Sequence, residues 1–214
     1  MYVPRMSRAR LEAFSDGVMA VAITLLALDL AVPGPGHGSS LLTQLGERWP
    51  SFVAYLISFF TVGIIWVNHH ARIADVAIVD RTLLFLNLIL LLFVVAIPFA
   101  TSTMAEYLTA GGQDARVSMV LYAGVFQGMG LAFALIFEWT LKEGRLHHPI
   151  PVEMQRRLRV RFSIGAVVYV AAIIIAFFNP LVSLIIIGVV AVYYIFEQTP
   201  RELRHTHRTP HLGE

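Results

Sequence analysis

Residues 10–30 read RLEAFSDGVMAVAITLLALDL. The run is apolar enough to cross a membrane as a helix, yet it carries Ser15, Asp16 and Thr24 at depths that lipid penalises. Polar groups inside a span face a protein interior or a water-filled path. The stretch therefore reads as a helix that lines an ion pathway, with the other helices holding it in place.

The composition around it agrees. Of 214 residues, 57% are hydrophobic and 14% charged, where a soluble domain carries about 25% charge. The mean hydropathy is +0.70. The missing charge is concentrated in long gaps, as in a polytopic membrane protein. The absence of cysteine excludes disulfides and thiolate metal sites. Residues 1–10 are basic and precede an apolar run, as in a secretory leader, but Ser15, Asp16 and the lack of a small-residue cleavage site argue against one. A net charge of +2 points to no nucleic-acid partner, and no cofactor is expected.

A spanning helix needs about 20 mostly apolar residues. The first span is expected over 9–32, stopped by Pro33-Gly34-Pro35-Gly36. Leu41, Leu42 and Leu45 suit a short interfacial helix. Further spans are expected over 49–71, 82–105 and 117–140, free of Lys, Arg, Asp and Glu between Arg48 and Arg72, Arg81 and Glu106, and Arg116 and Glu138. A basic loop is expected to run to Arg161. The uncharged stretch 162–196 is too long for one span, and Asn179-Pro180 divides it into two. Six spans put both termini on one side of the bilayer. Fourteen of the sixteen basic residues then share that side, all but Arg48 and Arg116. By the positive-inside rule both termini are cytoplasmic. The expected organisation is a six-helix domain over 1–200 and a polar cytoplasmic tail over 201–214, in a multi-pass protein of the plasma membrane.

At 100° per residue, Phe14, Gly17, Val21, Thr24, Leu25, Leu28 and Val32 share one face of the first helix, and Asp16 points nearly opposite. That stripe is either an ordinary packing face or a path. A buried carboxylate needs a partner. The topology brings Trp66, Asn68, His69 and His70 to the depth of Asp16, with Asn87 on the next helix. Arg10, Ser15, Asp16, Trp66, His69 and Asn87 are read as one polar network, with Asp16 held by His69 and Asn87. Such a knot is a clasp fixing helix register or a proton relay. Asp29, near the outer end, reads as a pore-mouth charge or a headgroup contact. The pairs His69-His70 and His147-His148, and the set His205-Thr206-His207, lack converging ligands for a metal. Arg156 to Arg161 reads as a headgroup anchor. Gly124, Gly128 and Gly130 suit close helix packing.

Arg10-x-x-x-Phe14-Ser15-Asp16-Gly17-Val18, followed by Thr24-Leu25-Leu26, resembles the first-helix hallmark of the lysosomal potassium channel family, transmembrane protein 175 and its prokaryotic relatives. Trp66-x-x-His69, Leu86-Asn87-Leu88 and Pro98 extend the likeness along the chain. The resemblance implies a potassium-selective channel with no Thr-Val-Gly-Tyr-Gly filter, and this chain has no such sequence. It implies an all-α homotetramer of six-helix subunits, with the first helix lining a central pore and K⁺ as the permeant ion. It maps the hydrophobic constriction onto Val21, Leu25 and Leu28, with Thr24 as the neighbouring selectivity position. Isoleucine is commoner in the family where Val21 stands, so that ring is expected to be slightly wider. The competing reading is a proton-coupled transporter or membrane-embedded enzyme using Asp16 and His69. Ser15 beside Asp16 does not supply a nucleophile and base unaided, so no enzymatic activity is expected.

Overall fold

The charge-free stretches fold as helices, and their caps explain where they begin. The computed structural model describes residues 7–31 and 40–197. Helix α1 is Arg8–Leu26, capped by the Ser7 hydroxyl, which accepts from the Arg10 amide. A short α2, Leu41–Glu47, starts at Ser40 in the same way. Helix α3, Trp49–Ile73, has a proline in its first turn, where no amide donor is needed. Asp80 caps α4, Arg81–Tyr107, by accepting from the Leu83 amide at 2.8 Å. Gly111 and Gly112, at φ 73° and 62°, take the left-handed turn into α5, Gly112–Thr140. Helix α6 is Val152–Ala176. Asn179 then accepts from the Val182 amide and opens α7, Pro180–Glu197.

Helix α4 lies against α1, α3 and α5, while α6 and α7 pack on each other, with α6 also against α5 and α7 against both α3 and α5. The core is built from α4 and α5: Leu83, Leu90, Val94 and Ile97 meet Met119, Tyr122, Phe126 and Ile136, all fully buried. Of the three expected packing glycines only Gly128 fits the role. A methyl there would overlap the Phe93 ring of α4, whereas Gly124 and Gly130 face open space.

A second contact set lies in the middle of the bundle. The Thr101 hydroxyl donates to the Ile97 carbonyl at 2.7 Å. Ser58 lies 2.8 Å from Thr101, and Tyr122 lies 2.9 Å from Ser58. Each hydroxyl has one proton. With Thr101 committed to Ile97, Ser58 must donate to Thr101, and Tyr122 to Ser58. The chain ties α3, α4 and α5.

Two boundaries differ in kind from expectation. The first α-helix ends at Leu26 and tightens into a 3₁₀ turn over Ala27–Asp29, short of residue 32. Helix α6 begins at Val152, so the basic run is helical rather than a loop, and Arg157 pairs with Glu153 one turn back. Four helices, α3 to α6, are long and apolar enough to cross a membrane. Helix α1 carries Arg8, Arg10, Glu12 and Asp16, and the apolar part of α7 is shorter, Pro180–Phe196. Val32 and the tail 201–214 lie outside the described residues, as does the side chain of Asp29.

Candidate functional site

Helix α1 has two faces. Leu11, Ser15, Met19, Ala22 and Leu26 are buried against α3 and α4. Phe14, Gly17, Val21, Thr24, Leu25 and Leu28 are exposed, with Val21 at 57% and Leu28 at 72%. A stripe this apolar, one side chain per turn over most of the helix, is unlike a solvated face. Within it the Thr24 hydroxyl donates to the Val21 carbonyl at 2.8 Å. Its proton is thereby fixed on the helix, and the oxygen lone pairs are what it presents outward.

The polar network falls into two separate parts, of which the first lies on the buried face. Ser15 donates to the Leu11 carbonyl at 2.9 Å, and its oxygen accepts from the Asn87 amide, also at 2.9 Å. The Asn87 carbonyl oxygen sits 2.7 Å from His69 Nε2. Because an amide oxygen only accepts, His69 carries its proton on Nε2. All three side chains are buried. Asp16 is not held by His69 and Asn87, as the sequence suggested. It stands one residue on from Ser15, a rotation of about 100° on an α-helix, and accepts from the Trp66 indole at 2.9 Å instead. One turn back, Glu12 pairs with His70 at 2.8 Å. Sequence reasoning missed Glu12, although the signal was there. Glu12 and Asp16 stand four apart on α1, Trp66 and His70 four apart on α3, and the two helices run in opposite senses. Arg10 stands apart from the network: it is exposed, and among the described residues only its backbone amide is engaged, at the α1 cap. Arg8 bridges to the Ala74 carbonyl instead.

Below this end of the bundle two loops clasp each other. The Ala77 amide donates to the Arg145 carbonyl and the His147 amide to the Asp75 carbonyl, both at 2.9 Å. Arg145 pairs with Asp80 and lies over the Trp139 ring. Burial works to raise the Asp80 carboxyl, but the Leu83 amide and the Arg145 guanidinium outweigh it and hold Asp80 below the ordinary carboxylate value.

These features define an all-helical bundle with helices long and apolar enough to cross a membrane, in which an exposed apolar helix face is backed by a buried polar clasp. Comparison with known proteins gives the family. The family model described as endosomal/lysosomal potassium channel TMEM175 matches residues 10–98. A protein named a potassium channel from Streptomyces collinus is 42% identical over 192 residues, covering 89% of this chain and 93% of that protein. A crystal structure described as a lysosomal potassium-selective channel TMEM175 homolog from Chamaesiphon minutus superposes with a TM-score of 0.79 at 32% identity, over 89% of this chain and 97% of that one. The human protein named endosomal/lysosomal proton channel TMEM175 is 38% identical over 135 residues, 57% of this chain and 27% of that protein. The chain belongs to the TMEM175 family.

Proposed function

We propose that this chain is the subunit of a potassium-selective channel: a homotetramer of six-span subunits in the plasma membrane, both termini cytoplasmic, with α1 around a central pore. The observation that carries it is the exposed face of α1. Its opposite face is fully used by Ser15, Met19 and Leu26, so the apolar stripe has no place inside one subunit. One helix cannot enclose a path, and copies about a closed axis can. In that arrangement α1 and α7 complete the six spans, and 1–200 is the channel domain. The relative from Streptomyces collinus, matched over 93% of its length, is named a potassium channel, and the six-span reading puts fourteen of the sixteen basic residues on one side.

In this arrangement Val21, Leu25 and Leu28 form apolar rings that offer an ion no oxygen, and such rings gate by dewetting. The ring of Thr24 oxygens, lone pairs outward, is what a partly dehydrated cation meets between them. Asp29 stands at the mouth. Selectivity follows from hydration, since sodium holds its water more tightly than potassium. The polar clasp fixes the register of α1 against α3 and α4. Asp16 and His69 each have another partner, Trp66 and Asn87, which weakens the reading of the two as one relay.

The test is flux from liposomes containing the purified protein, under potassium, sodium and proton gradients in turn. Potassium flux exceeding sodium flux supports the proposal. Proton flux alone would make this chain functionally closer to the relative named a proton channel, and no flux would overturn the channel reading.

A further inference from the structure

Helix α1 packs on both α3 and α4, which also pack on each other, so the open sides of those two helices flank it. Both sides are apolar. On α3, Leu56, Phe60 and Val67 are exposed, and Val67 stands one residue on from Trp66, which binds α1 through Asp16. On α4, Leu88, Leu92, Val95 and Phe99 are exposed, and Leu88 stands one residue on from Asn87, which binds α1 through Ser15. One residue is a rotation of about 100°, so each open stripe adjoins the face that holds α1. The subunit is a wedge with α1 along its edge and an apolar flank on either side.

The two flanks agree in level and differ in shape. Ser58 of α3 lies 2.8 Å from Thr101 of α4, and His69 lies 2.7 Å from Asn87, which makes the two helices antiparallel and fixes their levels. Phe60 is two residues past Ser58 and Phe99 two before Thr101. Both rings therefore stand at one level, about 3 Å along the bundle from the hydroxyl pair. Gly63, five past Ser58 and six before His69, falls level with residues 93–96 of α4, where Val95 projects at 52% exposure. A glycine inside a helix costs about 1 kcal/mol against alanine. Nothing within the subunit requires one at this position, since a Cβ on Gly63 meets no atom within 4 Å. Small residues in membrane helices stand where another helix comes close. The α3 flank thus has a notch between Phe60 and Val67, and the α4 flank has a ridge at the same level. Fluid lipid tails need no such match.

We propose that the α3 flank of one subunit docks on the α4 flank of a second copy of this chain, with Val95 of one copy in the Gly63 notch of the next and Phe60 against Phe99. A cyclic axis along the bundle leaves levels unchanged, so groups that share a level within one subunit meet across the interface. The contact is head to tail and closes into a ring with α1 innermost. The axis rests on the channel reading above; the pairing of the two flanks is what the interface adds to it.

The chain has no cysteine, so introduced cysteines report without background. The experiment is oxidative cross-linking of the double variant Phe60→Cys/Phe99→Cys in liposomes, with native mass spectrometry of the wild type, Gly63→Leu and Gly124→Leu. The double variant should form covalent species larger than a dimer. Phe60→Cys alone and Phe99→Cys alone should stay monomeric on denaturing gels, because a head-to-tail contact sets Phe60 beside Phe99 and not beside another Phe60. Gly63→Leu should weaken assembly about tenfold or more, the cost of overfilling a packed contact, while circular dichroism shows the subunit still folded. Gly124→Leu, which also faces open space but on α5, should assemble as the wild type does. If Gly63→Leu does not fold, Val95→Trp overfills the same contact from the exposed side of α4. Cross-linking of either single variant, or undiminished assembly of the folded filling variant, overturns the pairing. A wild type that assembles and conducts potassium while the double variant fails to cross-link overturns the pairing and leaves the channel reading standing. A wild type that stays monomeric and conducts nothing overturns both.

Discussion

Asn87 is the hinge of the buried clasp, because it bonds Ser15 with its amide and His69 with its carbonyl oxygen. Asn87→Leu strands the buried His69 Nε2 proton, at about 1–3 kcal/mol, while Ser15 keeps its bond to the Leu11 carbonyl. Trp66→Phe removes one donor from a carboxylate that is only half-buried and keeps water within reach. Chemical or thermal unfolding in detergent should rank Asn87→Leu well below Trp66→Phe, and the reverse order would show that the Asp16 contact is the dominant one. Asp80 gives a pH signature. Its folded pKa lies below the reference of 3.8, so the carboxylate contributes stability that is fully present above that reference. The contribution is lost as pH falls through the folded value. The stability gap between the wild type and Asp80→Asn should be flat from neutrality to about pH 5 and close in stronger acid. A gap that widens on acidification would contradict the Leu83 and Arg145 assignments.

At the scale of the element, the exposed stripe of α1 makes a claim about water. Val21→Asn places an amide in the first of the proposed apolar rings and should raise the resting conductance. Thr24→Val keeps the shape but removes the outward oxygen, and should lower the potassium-to-sodium permeability ratio. Reversal potentials under bi-ionic conditions measure both; if neither moves, this face of α1 does not line the path. The same helix shows what a sequence can reveal. Its two faces follow from 100° per residue, and Val21, Thr24, Leu25 and Leu28 fall together as the periodicity requires. Helices α3 and α4 were legible to within a few residues because Arg48 and Arg81 mark their starts, whereas α5 begins at Gly112, a turn before Arg116. The start of α6 was not legible, since charge marks where a helix leaves lipid rather than where it stops being helical. The pairing of Asp16 with Trp66 was hidden too, because neighbours at i and i+1 serve different partners on a helix.

At the scale of the whole molecule, native mass spectrometry in mild detergent should find four copies, and a monomer that conducts would sink the proposed assembly. One subunit is held by knots whose members come from distant parts of the chain, which is why no spacing rule announces them. Ser58, Thr101 and Tyr122 are single hydroxyls on three helices, and nothing local distinguishes them from Ser118 or Thr140, which bond only within their own helix. The order of donation gives that knot a head and a tail, so tolerance to substitution runs as a gradient along it. Tyr122→Phe deletes the first donor and strands no one. Ser58→Ala strands the Tyr122 proton, and Thr101→Val strands that of Ser58. Among natural variants the aromatic position is the one free to lose its oxygen, and drift should enter the bundle there first.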